Sequence, residues 1–303
     1  MRKSTGSSRH RTGCTSDGGS ELKAAAILEL DEVTFIEPSF AALTDPLYTQ
    51  LLAADNCDEA RMLVDENSDP IAVAFHEHAG WIAGSFLFRH PSVALIDAFE
   101  QVNGEIYQED RAVWAAAVRE YFSLRLAAEV PAAMEDLNPA RKGILADVIT
   151  GVWGRNGSNE TCIDCGCGSG VGSLVLRELG YTPLSYDNDA SLLTLGIQKG
   201  RLLPEETMCI DATQVSAYTQ AVPKGIGIMM GEINSFSVDM WHQIAAGLFS
   251  VTGETLITVG TEPEAFQIRE WGNEVGRSVE IRENPGDAFY DHWVCVAKPA
   301  VTK

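Results

Sequence analysis

Ile163-Asp164-Cys165-Gly166-Cys167-Gly168-Ser169-Gly170 is the stretch from which the rest of the chain is read. Thr161–Cys165 before it is short and apolar, as a buried strand is, and Ser169–Leu179 after it carries helical spacing. The glycines therefore occupy a strand-to-helix turn. With no Cβ in the way, such a turn lets a ligand come close to the backbone. The helix start behind it offers unbonded N–H groups to polar or negative ligand atoms. Seventeen residues beyond Gly170, Asp187 follows the strand-like run Leu184–Tyr186. A carboxylate at that place can accept both hydroxyls of a ribose.

Working outward, short apolar runs alternate with helical segments through the second half. Strands are expected at Thr161–Cys165, Leu184–Tyr186, Met208–Ile210, Ile226–Met230, Thr255–Val259, Val279–Arg282 and Trp293–Ala297. Helices are expected at Ser169–Leu179, Asp189–Lys199, Val238–Phe249 and Pro263–Val275. Alternation of this kind implies a doubly wound α/β domain whose mostly parallel sheet is covered on both faces. The last two strands have no helix between them and imply an antiparallel closing hairpin. The turn-rich Gly154–Glu160 marks the boundary, giving residues 154–303 to this domain and residues 23–153 to a mainly helical one. In that first half, Asp69-Pro70, Pro91-Ser92 and Asn138-Pro139 each read as a helix start. Glu105–Glu129 reads as a long helix or helix pair buried through Trp114, Val118, Tyr121, Phe122 and Leu126, and a short strand is expected at Val33–Ile36.

Composition narrows the function classes. The 303-residue chain has a formal net charge of −21, which points away from nucleic acid as a partner. No run approaches the roughly 20 apolar residues of a membrane helix. Residues 1–22 lack an apolar signal core and read as a disordered tail. An odd number of cysteines, seven, suits a reducing, cytoplasmic setting. Cys162, Cys165 and Cys167 invite a metal reading. However, Cys162 and Cys165 fall on opposite faces of a strand, so no metal site is assigned. His76-Glu77-His78, with His90 beyond, lacks the spacing that sets two ligands on one helix face.

The identity of the nucleotide turns on the glycines. The dinucleotide fingerprint Gly-x-Gly-x-x-Gly fails in both registers, because its third position is Val171 or Ser173. What stands instead is Asp-x-Gly-x-Gly-x-Gly. In this the chain resembles the class I S-adenosylmethionine-dependent methyltransferases. Asp164, Gly166, Gly168 and Gly170 match that family's first motif, and Asp187, with Asn188 after it, matches the ribose-binding acid. Asp211-Ala212 matches the third-strand motif whose acid contacts the adenine amino group, and Gly231 closes the fourth strand. The resemblance covers roughly Thr161 to Pro299 and implies a seven-stranded sheet with an antiparallel last strand, a lead-in helix at Pro139–Trp153, and S-adenosyl-L-methionine as cofactor.

The resemblance breaks at Gly231-Glu232-Ile233-Asn234-Ser235-Phe236. The Asn/Asp-Pro-Pro-aromatic sequence of enzymes that methylate the amino nitrogen of adenine or of glutamine is absent, as is the Pro-Cys pair of cytosine-C5 enzymes. Glu232 and Asn234 are the candidates for positioning or deprotonating an acceptor, with His242 and His292 as further bases. The expected acceptor is a small molecule or a protein side chain, under a lid supplied by the first half. A catalytically silent cofactor-binding partner protein and an NAD(P)-dependent oxidoreductase are the alternatives.

Overall fold

The structure, a computed structural model, describes residues 22–52, 57–135 and 137–300. The expected tail, Leu22 apart, lies outside the described residues. Two sheets organise the chain. The first has the order β1-β4-β3-β2-β5, with β1 Thr34–Phe35, β2 Glu59–Val64, β3 Pro70–Glu77, β4 Gly80–Ser85 and β5 Glu105–Gln108. Helices α1 (Lys23–Ile27), α2 (Leu47–Leu51), α3 (Val93–Gln101) and α4 (Arg111–Glu129) surround it, and α5 (Arg141–Trp153) follows.

The helices α3 and α5 stand where Ser92 and Asn138-Pro139 place them, and the Ser92 hydroxyl accepts from the Leu95 N–H at 3.2 Å. Between the helices, however, lies a sheet where only one short strand is expected. Asp69-Pro70 accounts for the difference. Pro70 opens β3 rather than a helix, and Ile71 through Phe75 are all fully buried. A strand covered on both faces shows no alternation, so its sequence is indistinguishable from a buried helical turn. The competing signal was the turn before it, Asn67-Ser68, where Ser68 takes a left-handed backbone (φ 69°) and reverses the chain. Likewise Glu105–Gln108 pairs with β2, so the long helix starts at Arg111. Its buried stripe is the expected one, except that Leu126 is half-buried.

The second sheet comprises β6 Thr161–Cys165, β7 Thr182–Asp187, β8 Thr207–Cys209, β9 Val222–Gly227, β10 Thr252–Val259, β11 Arg277–Glu283 and β12 Trp293–Pro299. Its order is β11-β12-β10-β9-β6-β7-β8, parallel throughout except for β12, which runs antiparallel to both neighbours. Helices α6 (Val171–Glu178), α7 (Ala190–Gln198), α8 (Val238–Ser250) and α9 (Glu262–Glu274) make the crossovers. Asp189 caps α7 through the Ser191 and Leu192 N–H groups, and Thr261 with Glu264 forms a capping box on α9.

The fourth strand departs from expectation. It begins at Val222 and ends at Gly227, so Met229 and Met230 lie beyond it. Met229 adopts a left-handed backbone (φ 58°), and its N–H is held by the Thr258 hydroxyl at 2.8 Å. That tether turns the chain before Gly231.

Packing joins the halves. α5 shares an apolar cluster with α6 and with Ile226, Leu256 and Val294 of the second sheet, so it belongs to that layer. The other face of the second sheet merges with the first half in one core that contains Trp114, Val118, Tyr121 and Phe122 of α4 beside Tyr186, Met208 and Tyr218. α4 lies along edge strand β8, where the Ser123 hydroxyl donates to the Thr207 carbonyl at 2.9 Å. The first half thus covers an otherwise open sheet edge.

Candidate active site

The glycine turn sits at the carboxyl end of the central strand β6, where the strand order reverses and open α/β sheets bind their ligands. Gly166 has φ +63°, and a Cβ built on it would meet nothing within 4 Å. A side chain there would project into open space that a ligand can use. Gly170, at φ +83°, starts α6 so close to Leu202 that a Cβ would stand 2.5 Å from that side chain.

Asp187 ends β7 and is fixed from both sides. One carboxylate oxygen accepts the Gly168 N–H at 2.8 Å and the other the Asp189 N–H at 2.8 Å. Each oxygen keeps a lone pair for a further donor. Asp164 lies beneath the turn, buried, and accepts from the Ser173 hydroxyl at 2.6 Å; Ser173 in turn meets the Ser185 hydroxyl at 2.7 Å. Burial raises the Asp164 carboxyl to about 7. Asp164 is therefore placed as a support for the turn.

Beside these groups opens a cavity of about 360 Å³, within the usual range for small-molecule sites. Cys165, Gly166, Asp187, Asn188, Asp211 and Ala212 line its polar side. Burial pushes the Cys165 thiol up to about 12, so it stands there as a neutral group. Asp211 caps the 3-10 segment Ala212–Ala217 with one carboxylate oxygen, which accepts from the Thr213 N–H. The opposite wall is apolar and was not foreseen. It consists of Ile228, Met229 and Met230 after β9, with Met240, Trp241 and Ile244 from α8. The only signal for the helical part was the 240/241/244 spacing, which puts three large side chains on one side of a helix.

The structure thus brings together Gly166, Asp187, Asn188, Asp211 and Ala212. Asp164, Gly168 and Gly170 are not among the lining residues, and Gly231 is half-buried near the Glu264 carboxylate. Glu232 and Asn234 do not line the cavity. The Asn234 side chain accepts the Phe236 N–H at 2.9 Å and so caps its own loop, while Glu232 is exposed. The histidines are elsewhere. His242 meets Glu274 at 3.0 Å and stacks on Trp271; His292 meets Glu283 at 3.0 Å; His76 meets Asp58 at 3.0 Å. Among the described residues, none lining the cavity comes from the first half. The segment after α4 does pass nearby: the Ala133 N–H donates to the Ser191 carbonyl at 3.0 Å, and the Arg141 guanidinium reaches the Met229 sulfur at 3.5 Å. Cys162 and Cys165 belong to different apolar clusters, one on each face of the sheet. Among the described residues no three His, Cys, Asp or Glu groups converge as metal ligands, and no helix is long and apolar enough to cross a membrane.

In its own numbering the second sheet runs 6-7-5-4-1-2-3, with strand 7 reversed and a glycine turn after strand 1. The domain has the class I methyltransferase fold. No family profile and no curated protein matches the chain. Among solved structures it is similar to magnesium protoporphyrin IX methyltransferase from Synechocystis with bound S-adenosylmethionine, at 15% identity over 61% of this chain and 96% of that one, with a TM-score of 0.43. It is also similar to a TehB-like methyltransferase from Corynebacterium glutamicum (20% identity, 60% and 97% covered, TM-score 0.40). A third is 1,6-didemethyltoxoflavin-N1-methyltransferase from Burkholderia thailandensis (14% identity, 54% and 79% covered, TM-score 0.39). The strand order and the glycine turn carry the fold assignment without them.

Proposed function

We propose that this chain is an S-adenosylmethionine-dependent methyltransferase acting on a small molecule or a protein side chain. The observation that carries this is Asp187, anchored by two backbone N–H groups at the rim of a cavity that Gly166 leaves open. A carboxylate so held can accept both ribose hydroxyls without reorganising, as charge-assisted hydrogen bonds. Asp211 and Ala212, on the next strand end, flank the position for the adenine, and Cys165 and Gly166 that for the amino-acid arm.

The cofactor supplies a methyl group on a sulfonium, already activated for in-line displacement. The protein has to align the acceptor and exclude water. Met230, Trp241 and Ile244 contribute to the latter as an apolar wall, with Met229 at its exposed rim. With His242 and His292 paired to Glu274 and Glu283, Glu232 stays the proposed acceptor base although it stands exposed outside the cavity, so it would have to act on an acceptor bound at that outer edge; Asn234 caps its loop.

Calorimetric titration with S-adenosylhomocysteine, wild type beside Asp187→Ala, tests the proposal. The wild type should bind at micromolar concentration. The variant loses two charge-assisted hydrogen bonds, roughly 2–4 kcal/mol together, so its affinity should fall about 30- to 1000-fold. A folded wild type that does not bind refutes the assignment.

A further inference from the structure

A second cavity, of about 720 Å³, lies between the two halves. It adjoins Ser216 and Ala217, at the far end of the 3-10 segment whose first residues, Ala212 and Thr213, line the cofactor-sized cavity. Three arginines line it, and their partners differ. Arg89 is fully engaged: it donates to Thr49, to the Leu43 carbonyl and to the buried carboxylate of Glu37. Arg111 donates to Asp65 at 2.9 Å and to the Leu87 carbonyl at 3.2 Å.

Arg119 is held only at Nε, by the Glu205 carbonyl at 2.6 Å. The carboxylates of Glu205 and Glu206 partly offset the burial of its charge, but they are shared with other cations: Glu205 meets Lys23 at 3.5 Å and Glu206 meets Arg177 at 2.9 Å. Among the described residues, its two terminal nitrogens have no partner. They form a fork suited to a carboxylate or phosphate. Burial disfavours its charge, an effect that an incoming anion would relieve.

The rest of the cavity fits this pole. Ala112 and Ala115 on α4 keep the floor low, while Phe88 and Tyr218 bring rings together at 5.5 Å along the wall. The facing acids, Glu66 and Asp69, stand at the Arg111 end, where Glu66 accepts the Arg111 N–H at 3.1 Å; His90 lies on the rim.

We propose that this cavity binds an organic anion, its carboxylate or phosphate forked by Arg119 and its apolar, ring-sized body against Phe88 and Tyr218. The site is separate from the cofactor cavity and stands whether or not the chain transfers methyl groups.

Calorimetry on the full chain, with phenyl phosphate, benzoate and inorganic phosphate as probes, tests it. A cooperative thermal transition is the criterion of folding, so cofactor binding is not needed as a control. The expected result is one saturable site for phenyl phosphate or benzoate, at least tenfold tighter than inorganic phosphate and weakened at least tenfold by Arg119→Gln. Ala115→Leu, which narrows the cavity and keeps the arginine, should weaken the same probes should Arg119→Gln fail to fold. Saturation by phenyl phosphate alone marks the ligand as a phosphate ester, and by benzoate alone as a carboxylate. No saturable binding at millimolar probe, or binding indifferent to both variants, overturns the proposal. Equal affinity for inorganic phosphate removes the aromatic wall from it.

Discussion

Replacing Asp164 by Asn should change how stability depends on pH. The carboxyl is buried beneath the glycine turn, and burial lifts it to about 7 from an ordinary 3.8, while the Ser173 hydroxyl at 2.6 Å pulls the other way. Between these two values the folded state keeps a proton that the unfolded chain has lost. The stability this group contributes is therefore present below about pH 4 and lost as pH rises to about 7. Each tenfold difference in proton affinity between the folded and unfolded chain is worth about 1.4 kcal/mol. Integrated from pH 5 to pH 8, the loss comes to roughly 2–3 kcal/mol. Asparagine has no such proton and keeps an acceptor for Ser173. Urea unfolding of both proteins at pH 5, 6, 7 and 8 should show the wild-type advantage over Asp164→Asn shrinking by that amount. A difference constant to within about 0.5 kcal/mol would mean that Asp164 is ionised when folded, and would refute its role as a neutral support.

Three more substitutions probe the open wall, the shared core and the Met229 tether. Gly166→Val forces a β-branched side chain into a left-handed backbone and projects it into the cavity; S-adenosylhomocysteine affinity should fall at least tenfold and stability by roughly 1–3 kcal/mol, and unchanged calorimetry would contradict the open wall. Trp114→Ala removes a fully buried ring from the shared core and should cost about 3–5 kcal/mol. Its calorimetric melt should stay a single transition, whereas two separate transitions would deny that the halves share a core. Thr258→Val takes away the donor to the buried Asp291 (2.6 Å) and the acceptor of the Met229 N–H. It should destabilise the protein by roughly 1–3 kcal/mol and lower turnover more than cofactor affinity. Thermal unfolding and steady-state kinetics would show this, and equal loss of both would place Met229 outside the reacting end.

The polar side of the cavity was legible because its parts are local. The glycine turn, Asp187 and Asp211 each lie at a strand end, and alternation of strand and helix fixes which ends meet. The apolar wall was not, because it is set by contacts distant in sequence. Ile226 to Met230 is an unbroken apolar run, and only Thr258, brought in by β10, turns the chain at Met229. The loop with Glu232 and Asn234 shifts accordingly. β3 was hidden for a related reason, since a strand buried on both faces carries no period. The position of the first half could not be read either. Nothing in the composition of α4 shows that its apolar stripe would be spent against a sheet edge rather than over a cavity.

That placement bears on which parts of the chain can be separated. The turn-rich Gly154–Glu160 looks like a natural place to cut, yet a gene fragment encoding only the residues beyond it would lose α5 from one face of its sheet and α4 from the rim of β8. The fragment would retain the whole cofactor cavity and still present a raw strand with apolar flanks, ready to pair with its own copies. Neither half is thus a finished piece: α4 and α5 belong to the layers that cover the second sheet, and a fragment without them is expected to associate with its own copies.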